Sequence, residues 1–204
     1  MISEHFLVPL RRKANGFVLR TFQPGDGAAL AEALNRSYEH IRRFMSWAQP
    51  VEDPVECELR VRRFHARYLL HEDFIVGIFD PSETRVLGGT GFHLREGPLT
   101  DGRCEAGMWI RGDEAGRGLG RRVLAAMIEW AWEEWPFHRV SWHCSVENVA
   151  SCKVAEACGL TLEGRLRKAL TVRDSEDHDL FVYAIIRPED ATRTGPQAGQ
   201  RSRP

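Results

Sequence analysis

The sequence predicts an α/β fold built on a mixed sheet, in which an antiparallel meander is joined by one helical crossover to a parallel strand. Three observations predict it. Between residues 74 and 110, three strand-like apolar runs follow one another across turn residues, too closely spaced for helical connections. Six residues, Ala115-Gly116-Arg117-Gly118-Leu119-Gly120, then launch a long helical stripe that Pro136 ends. The next apolar run, Arg139 to Val146, returns after that crossover and is expected to lie parallel to Arg103 to Ile110.

Taken in order, Gly16 to Gln23 alternates as a first strand and is broken by Pro24-Gly25-Asp26-Gly27. Leu30, Leu34, Tyr38 and Ile41 recur at helical spacing, and a second helix is expected from Asp53-Pro54 to Leu70. Phe74 to Phe79 and Val86 to Leu94 make a hairpin around Asp80-Pro81-Ser82-Glu83, and Arg103 to Ile110 follows through Gly97-Pro98 and Asp101-Gly102. In the helix after the glycine segment, Leu119, Val123, Met127, Ala131 and Trp135 form one row and Leu124, Ile128 and Trp132 a second, a stripe wide enough to pack on a sheet. A shorter helix, Val149 to Cys158, has Asn148 as its N-cap and Gly159 after its last turn. Strands at Leu162 to Val172 and Asp179 to Ile186 close a single domain over residues 1–186. The tail from Arg187, with little apolar to bury, is expected to be disordered.

Composition narrows the function. At 204 residues, 43% hydrophobic and 28% charged, the chain can bury a full core. A net charge of −1 gives no general attraction to nucleic acid or membrane surfaces, so neither is an expected partner, and any anion recognition must be local. Five cysteines without a C-x-x-C pair read as reduced core residues, and no metal site is expected. With no signal-like run and no apolar stretch of membrane-crossing length, a cytoplasmic protein is expected.

The local anion site is written in charges that run backwards. Arg117, Arg121 and Arg122 crowd the start of the helix while Glu129, Glu133 and Glu134 sit toward its end, the reverse of what the macrodipole favours. Such a helix is poorly stabilised alone, but its first turn is a positive pocket of free N–H groups suited to a pyrophosphate. A Walker A loop is excluded, because no lysine occurs between Lys13 and Lys153. A dinucleotide loop needs Gly-x-Gly-x-x-Gly in a parallel unit, whereas this one is Gly-x-Gly-x-Gly after a meander.

On Glu105 to Ile110, Ala115 to Gly120, Asn148 to Ser151, Val154-Ala155-Glu156, Gly159 and Glu163-Gly164, the chain resembles the GNAT superfamily of N-acetyltransferases, within it the ribosomal-protein N-terminal (Rim-type) branch. The family loop usually begins with Gln or Arg where this chain has Ala115, a change expected to weaken cofactor binding modestly. The resemblance implies acetyl-CoA as cofactor. Its pyrophosphate would rest on Ala115, Gly116, Arg117, Gly118, Leu119 and Gly120, and its pantetheine on the backbone of Met108, Trp109 and Ile110 where two strands splay. The Trp109 side chain is expected in the core. Asn148 would hold the pantetheine or cap its helix; Ser151 would hydrogen-bond the sulfur and return a proton to it.

The implied reaction is direct attack of an amine in a ternary complex, with coenzyme A as product. At pH 7 about a tenth of an α-amine is already neutral, against far less than a thousandth of a lysine, so an N-terminal acceptor needs only a weak base. Glu105 is the first candidate, with His143 and His93 as alternatives, and each also reads as an ordinary sheet residue. Trp47, Met45 and Phe44 are expected at the acceptor cleft or as a core anchor. Arg42, Arg43, Arg60, Arg62, Arg63 and Arg67 either attract an acidic acceptor or are plain surface charge. A small-molecule amine is the rival acceptor, a non-catalytic acetyl-CoA sensor the rival function, and a homodimer is allowed.

Overall fold

The computed structural model describes residues 6–171 and 177–188. Its strands are β1 (Arg11–Ala14), β2 (Phe17–Thr21), β3 (Phe74–Phe79), β4 (Val86–His93), β5 (Arg103–Ile110), β6 (Arg139–Ser145), β7 (Thr161–Thr171) and β8 (Asp177–Ile186); its helices are α1 (Gly27–Ile41), α2 (Pro54–Leu69), α3 (Leu119–Glu133) and α4 (Val149–Ala157). They form one mixed sheet in the order β1-β2-β3-β4-β5-β6-β8-β7. The expected parallel pair is present: β5 and β6 run side by side while their neighbours are antiparallel.

One strand was not expected. The sequence places the first strand at Gly16, but β1 pairs with β2 from Arg11↔Arg20 to Ala14↔Phe17. Its residues are Arg-Arg-Lys-Ala, an edge strand whose charged side chains hide it from any apolar pattern and also guard the free edge. Of the expected tail, residues 189–204 lie outside the described residues; Arg187 is held against α3 by three backbone carbonyls.

The sheet is packed on both faces. Phe74, Phe92, Trp130, Trp135 and Phe137 anchor a core between the sheet and α3 and α4, all of them at most 3% exposed. Val18, Phe22, Leu30, Leu34 and Val61 form a second core under α1 and α2. Asp53 caps α2 through the N–H groups of Val55 and Glu56, with Pro54 at the first helical position, where the sequence reading starts that helix. The four cysteines at 57, 104, 144 and 152 are buried, Cys158 is half-buried, and all five are free.

Candidate active site

The loop that follows β5 is fixed from below. Arg111, 2% exposed, forms ion pairs with Glu32 on α1 and with Asp113 (2.7 Å), and these partners hold its guanidinium well above the ordinary range. The Gly112 N–H donates to the Ser37 hydroxyl (3.1 Å), a second tie to α1. The Ala115 N–H closes this turn on the Gly112 carbonyl (3.3 Å), so the series of free donors begins at Gly116. Gly116 and Gly118 both adopt φ +74°, and a Cβ at either would meet nothing within 4 Å. At these two positions the backbone is left open to solvent, in a conformation that other residues rarely adopt. The first α3 bond runs from the Arg122 N–H to the Gly118 carbonyl (3.2 Å), so among the described residues the N–H groups of 116–121 have no backbone partner. Arg117, its side chain 71% exposed, reaches Glu114 at 3.6 Å.

Beside this loop the sheet splits. β5 and β6 pair at Arg103↔Arg139, Cys104↔Val140 and Glu105↔Ser141 and no further, although β5 continues to Ile110 and β6 continues to Ser145 against β8. The edge of β5 from Ala106 to Ile110 is therefore unpaired on the β6 side, while its other edge is paired with β4 throughout. Met108 and Ile110 pack toward the α3 core and Trp109 toward the α1/α2 core. Trp109, expected in the core, does pack against that second core, yet it also walls a cleft of about 880 Å³ that opens beneath α1 and α2 and reaches the split.

The cleft floor carries the charged chemistry. Register puts Trp109, Gly107 and Glu105 on one face of β5, opposite Gly89, Gly91 and His93 of β4. Ser141 and His143 share that face on β6. Glu105, 6% exposed, accepts from Arg95 (2.5 Å) and lies 3.1 Å from His143 Nδ1. Burial pushes the Glu105 carboxyl up, but the hydrogen bond from His143, the charge of Arg95 and those of His143 and His93 when these rings are protonated outweigh it, so it sits below the usual range. The same hydrogen bond raises His143, against a smaller opposing effect of burial. Trp47, 44% exposed, meets Trp109 edge-on at 6.4 Å and belongs to the cleft. The basic residues just after α1 and on α2 are largely committed elsewhere: Arg42 to Glu39, Arg43 to Glu147, Arg60 to Glu52, Arg62 to Glu58 and Arg67 to Glu72 and Asp73. Paired charges of this kind favour the plain-surface reading over capture of an acidic acceptor.

The other face of the split is neutral. Asn148 caps α4 by accepting from the Ser151 N–H (3.2 Å), as expected, and Ser151 Oγ accepts from Trp142 Nε1 (2.9 Å). With its oxygen so engaged, the Ser151 hydroxyl proton points to the Cys144 sulfur. Cys144 lies 3.7 Å from Cys152, and burial first, then Cys152, push its thiol up to about 12 against a hydrogen bond from Ser151. It is a neutral thiol at pH 7, a poor nucleophile.

Three kinds of comparison agree with this geometry. The family profile described as "Acetyltransferase (GNAT) domain" matches residues 17–161. The chain belongs to the GNAT acetyltransferase family. Among curated relatives, the Bacillus subtilis protein named "Putative ribosomal N-acetyltransferase YdaF" is 25% identical over 173 residues, 84% of this chain and 91% of the relative. "Probable N-acetyltransferase YjcK" of Bacillus subtilis is 27% identical over 133 residues, 64% and 71% of the two chains. Among solved structures, RimL, a ribosomal L7/L12 α-N-protein acetyltransferase in complex with coenzyme A, superposes with a TM-score of 0.76 at 22% identity, covering 85% of this chain and 96% of RimL. The ribosomal-protein-S5-alanine acetyltransferase from Vibrio fischeri gives 0.78 at 18% identity, covering 89% and 98%.

As a GNAT acetyltransferase the chain is an acyltransferase, and the structure brings its sequence-predicted residues to two sides of one split: Gly116 to Gly120, Asn148 and Ser151 on the side of α3 and α4, Glu105 and His143 on the side of α1 and α2. Sequence reasoning missed Arg95 and Asp73, which hold Glu105 and His93. Neither stands in a motif. The usable signal was the cross-strand register, which sets His93 opposite Glu105 once the hairpin is drawn.

Proposed function

We propose that the protein transfers an acetyl group from acetyl-CoA to the α-amine of a protein N-terminus, by direct attack in a ternary complex. The observation that carries this reading is the Glu105–His143 pair at the bottom of the split, where the acceptor cleft meets the unpaired edge of β5.

The residues fit the cofactor. The open, positive-φ surface at Gly116 and Gly118 and the free N–H groups of 116–121 would hold the pyrophosphate, and the unpaired edge at Met108 to Ile110 would hold the pantetheine as an added strand. Acetyl-CoA supplies an activated thioester. Asn148 and Ser151 lie on the α4 side of the split, where the Ser151 hydroxyl, on leaving Cys144, would donate to the departing sulfur. Cys144, held neutral by burial, has no part as an acyl carrier, which favours direct attack over a covalent intermediate.

His143 meets the amine and Glu105 positions it. With Nδ1 on Glu105, Nε2 is left for the cleft, and a histidine raised above its ordinary value of 6.5 suits an α-amine near pKa 8 far better than a lysine near 10.4. Trp47 and Trp109 wall the cleft by which an N-terminus would enter, and the relatives named above as ribosomal acetyltransferases support such an acceptor.

The test is thiol release from acetyl-CoA over a panel of N-terminal peptides, lysine side-chain analogues and small amines, with the product nitrogen located by mass spectrometry. Acetylation confined to α-amines is expected; turnover of small amines alone, or coenzyme A binding with no turnover, would overturn the reading. With an acceptor already neutral across the range, so that the enzyme alone titrates, kcat/KM rises with pH as His143 loses its proton, and the limb lies above 6.5. Glu105→Gln removes the main cause of the raised value, so the limb moves to lower pH and kcat falls by about 10²-fold, the lower end of what a positioned base contributes. A limb that stays in place would remove Glu105 from this role.

A further inference from the structure

We infer that Asp73 and His93 form a second carboxylate–histidine base, which takes the first proton from the acceptor while it is still an ammonium ion. This rests on the amine-transfer reading above and adds a group to it.

His93 Nδ1 lies 2.7 Å from Asp73 Oδ1. A carboxylate only accepts, so Nδ1 carries the proton and Nε2 is the free acceptor. Both side chains are sheltered, Asp73 at 13% and His93 at 19% exposure, and both line the cleft. The ring lies over β5 at Gly107, where a Cβ would come within 3.3 Å of His93 Nε2. Any side chain there would crowd the ring, and the missing one lets Nε2 rest on the cleft floor. Glu105 is the cross-strand partner of His93, so this base stands on one flank of β5 and His143 on the other. The charged groups around His93 are Asp73 before β3, Arg67 on α2 (3.5 Å from Asp73 Oδ2), Glu105 on β5 and Arg95 after β4.

The acceptor nitrogen loses two protons at different stages of the reaction, which gives two bases separate tasks. An ammonium nitrogen gives up two protons in becoming an amide: one before its lone pair is free to form the C–N bond, one after. One of these is matched by the proton the departing sulfur gains as the C–S bond breaks, and the other is released to water. His93 Nε2 takes the first and His143 Nε2 the second. The two histidines are thus separable by the charge of the acceptor.

The experiment measures kcat/KM from pH 6 to 9.5 for the full chain and for His93→Gln, Asp73→Asn and His143→Gln. It uses two acceptors, an N-terminal peptide with an α-amine near pKa 8 and a primary amine whose electron-withdrawing substituent keeps it neutral above pH 6. His93→Gln and Asp73→Asn are expected to lose about tenfold at pH 7 with the peptide, matching the tenth of such an amine that is neutral there. They return to within about twofold at pH 9, or at any pH with the weakly basic amine. His143→Gln stays impaired with both. An independent readout is the imidazole nitrogen signal of His93 by NMR, which shifts when the ammonium peptide is added with coenzyme A in place of acetyl-CoA. A uniform loss in His93→Gln, across pH and with both amines, would mark a structural residue and overturn the inference, as would no loss at all. If instead the unaltered chain binds coenzyme A by calorimetry but acetylates neither amine, the amine-transfer reading itself has failed and this inference falls with it.

Discussion

The two ends of α3 carry the same fault in opposite senses and are treated in opposite ways. At the C-terminal end, where Glu129, Glu133 and Glu134 face a negative dipole, the fold supplies cations. Arg12 of β1 reaches all three, at 3.8, 2.5 and 3.1 Å, and this company raises its guanidinium further. Arg187 donates to the carbonyls of Ala131, Trp132 and Trp135, groups that no residue inside the helix can serve. At the N-terminal end, Arg117, Arg121 and Arg122 face a positive dipole and the fold supplies only one carboxylate among the described residues: Glu114 at 3.6 Å for Arg117, with the Asn15 carbonyl at 3.4 Å and the Phe17 ring at 6.0 Å for Arg122. The difference teaches that the fold completes one end of α3 with its own cations and leaves the other uncompensated. Unfavourable charge that the protein neutralises belongs to folding; unfavourable charge left open, beside two positive-φ glycines, is where the function proposed above would seat an anion.

The comparison is broken most sharply at Gly118. Gly118→Val puts a β-branched residue at φ +74°, a strain of about 1–3 kcal/mol, and is expected to weaken coenzyme A binding by thirtyfold or more in calorimetry, roughly 2 kcal/mol. Unchanged affinity would mean that this end of α3 is not where the phosphates rest. Next in size, Arg187→Ala removes the charged donor from three carbonyls at the other end. Losing charge-assisted hydrogen bonds costs about 1.5–3 kcal/mol, seen as a melting temperature lower by several degrees with coenzyme A affinity unaltered. A change in affinity with no change in melting would reverse the assignment of the two ends. The smallest effect is expected from Arg12→Ala, whose partners are more than 40% exposed; about 0.3–1 kcal/mol should be lost at low salt and little at high salt. Equal losses at both salt concentrations would show that Arg12 acts by packing its stem, not by its charge.

How much was legible in advance differs between the two ends. The N-terminal end lies within one continuous segment, so its glycines and arginines could be read side by side, and the free N–H groups follow from helix geometry alone. The C-terminal end is completed by Arg12 and Arg187, more than a hundred and more than fifty residues away from the glutamates and carbonyls they serve. The catalytic floor divides in the same way. Glu105 and His143 could be named because their strands alternate, but that they touch depends on β5 and β6 being adjacent and in register at Glu105↔Ser141. Arg95 lies in the connection from β4 to β5 and Asp73 in the one from α2 to β3, where no period marks a residue as facing inward.

The sequence by itself determined the kind of fold, the crossover that makes β5 and β6 parallel, the helix start at Asp53-Pro54, the cap at Asn148, and the glycine-rich turn with free N–H groups at the head of α3. Each of these is a property of a few consecutive residues: a period, a cap, a conformation that only glycine adopts readily. Only the tertiary structure decided where the sheet splits, which charges are paired and which left open, and which histidine stands over which carboxylate. Those are distances between residues far apart in the chain, and they are fixed only when two cores close on opposite faces of one sheet.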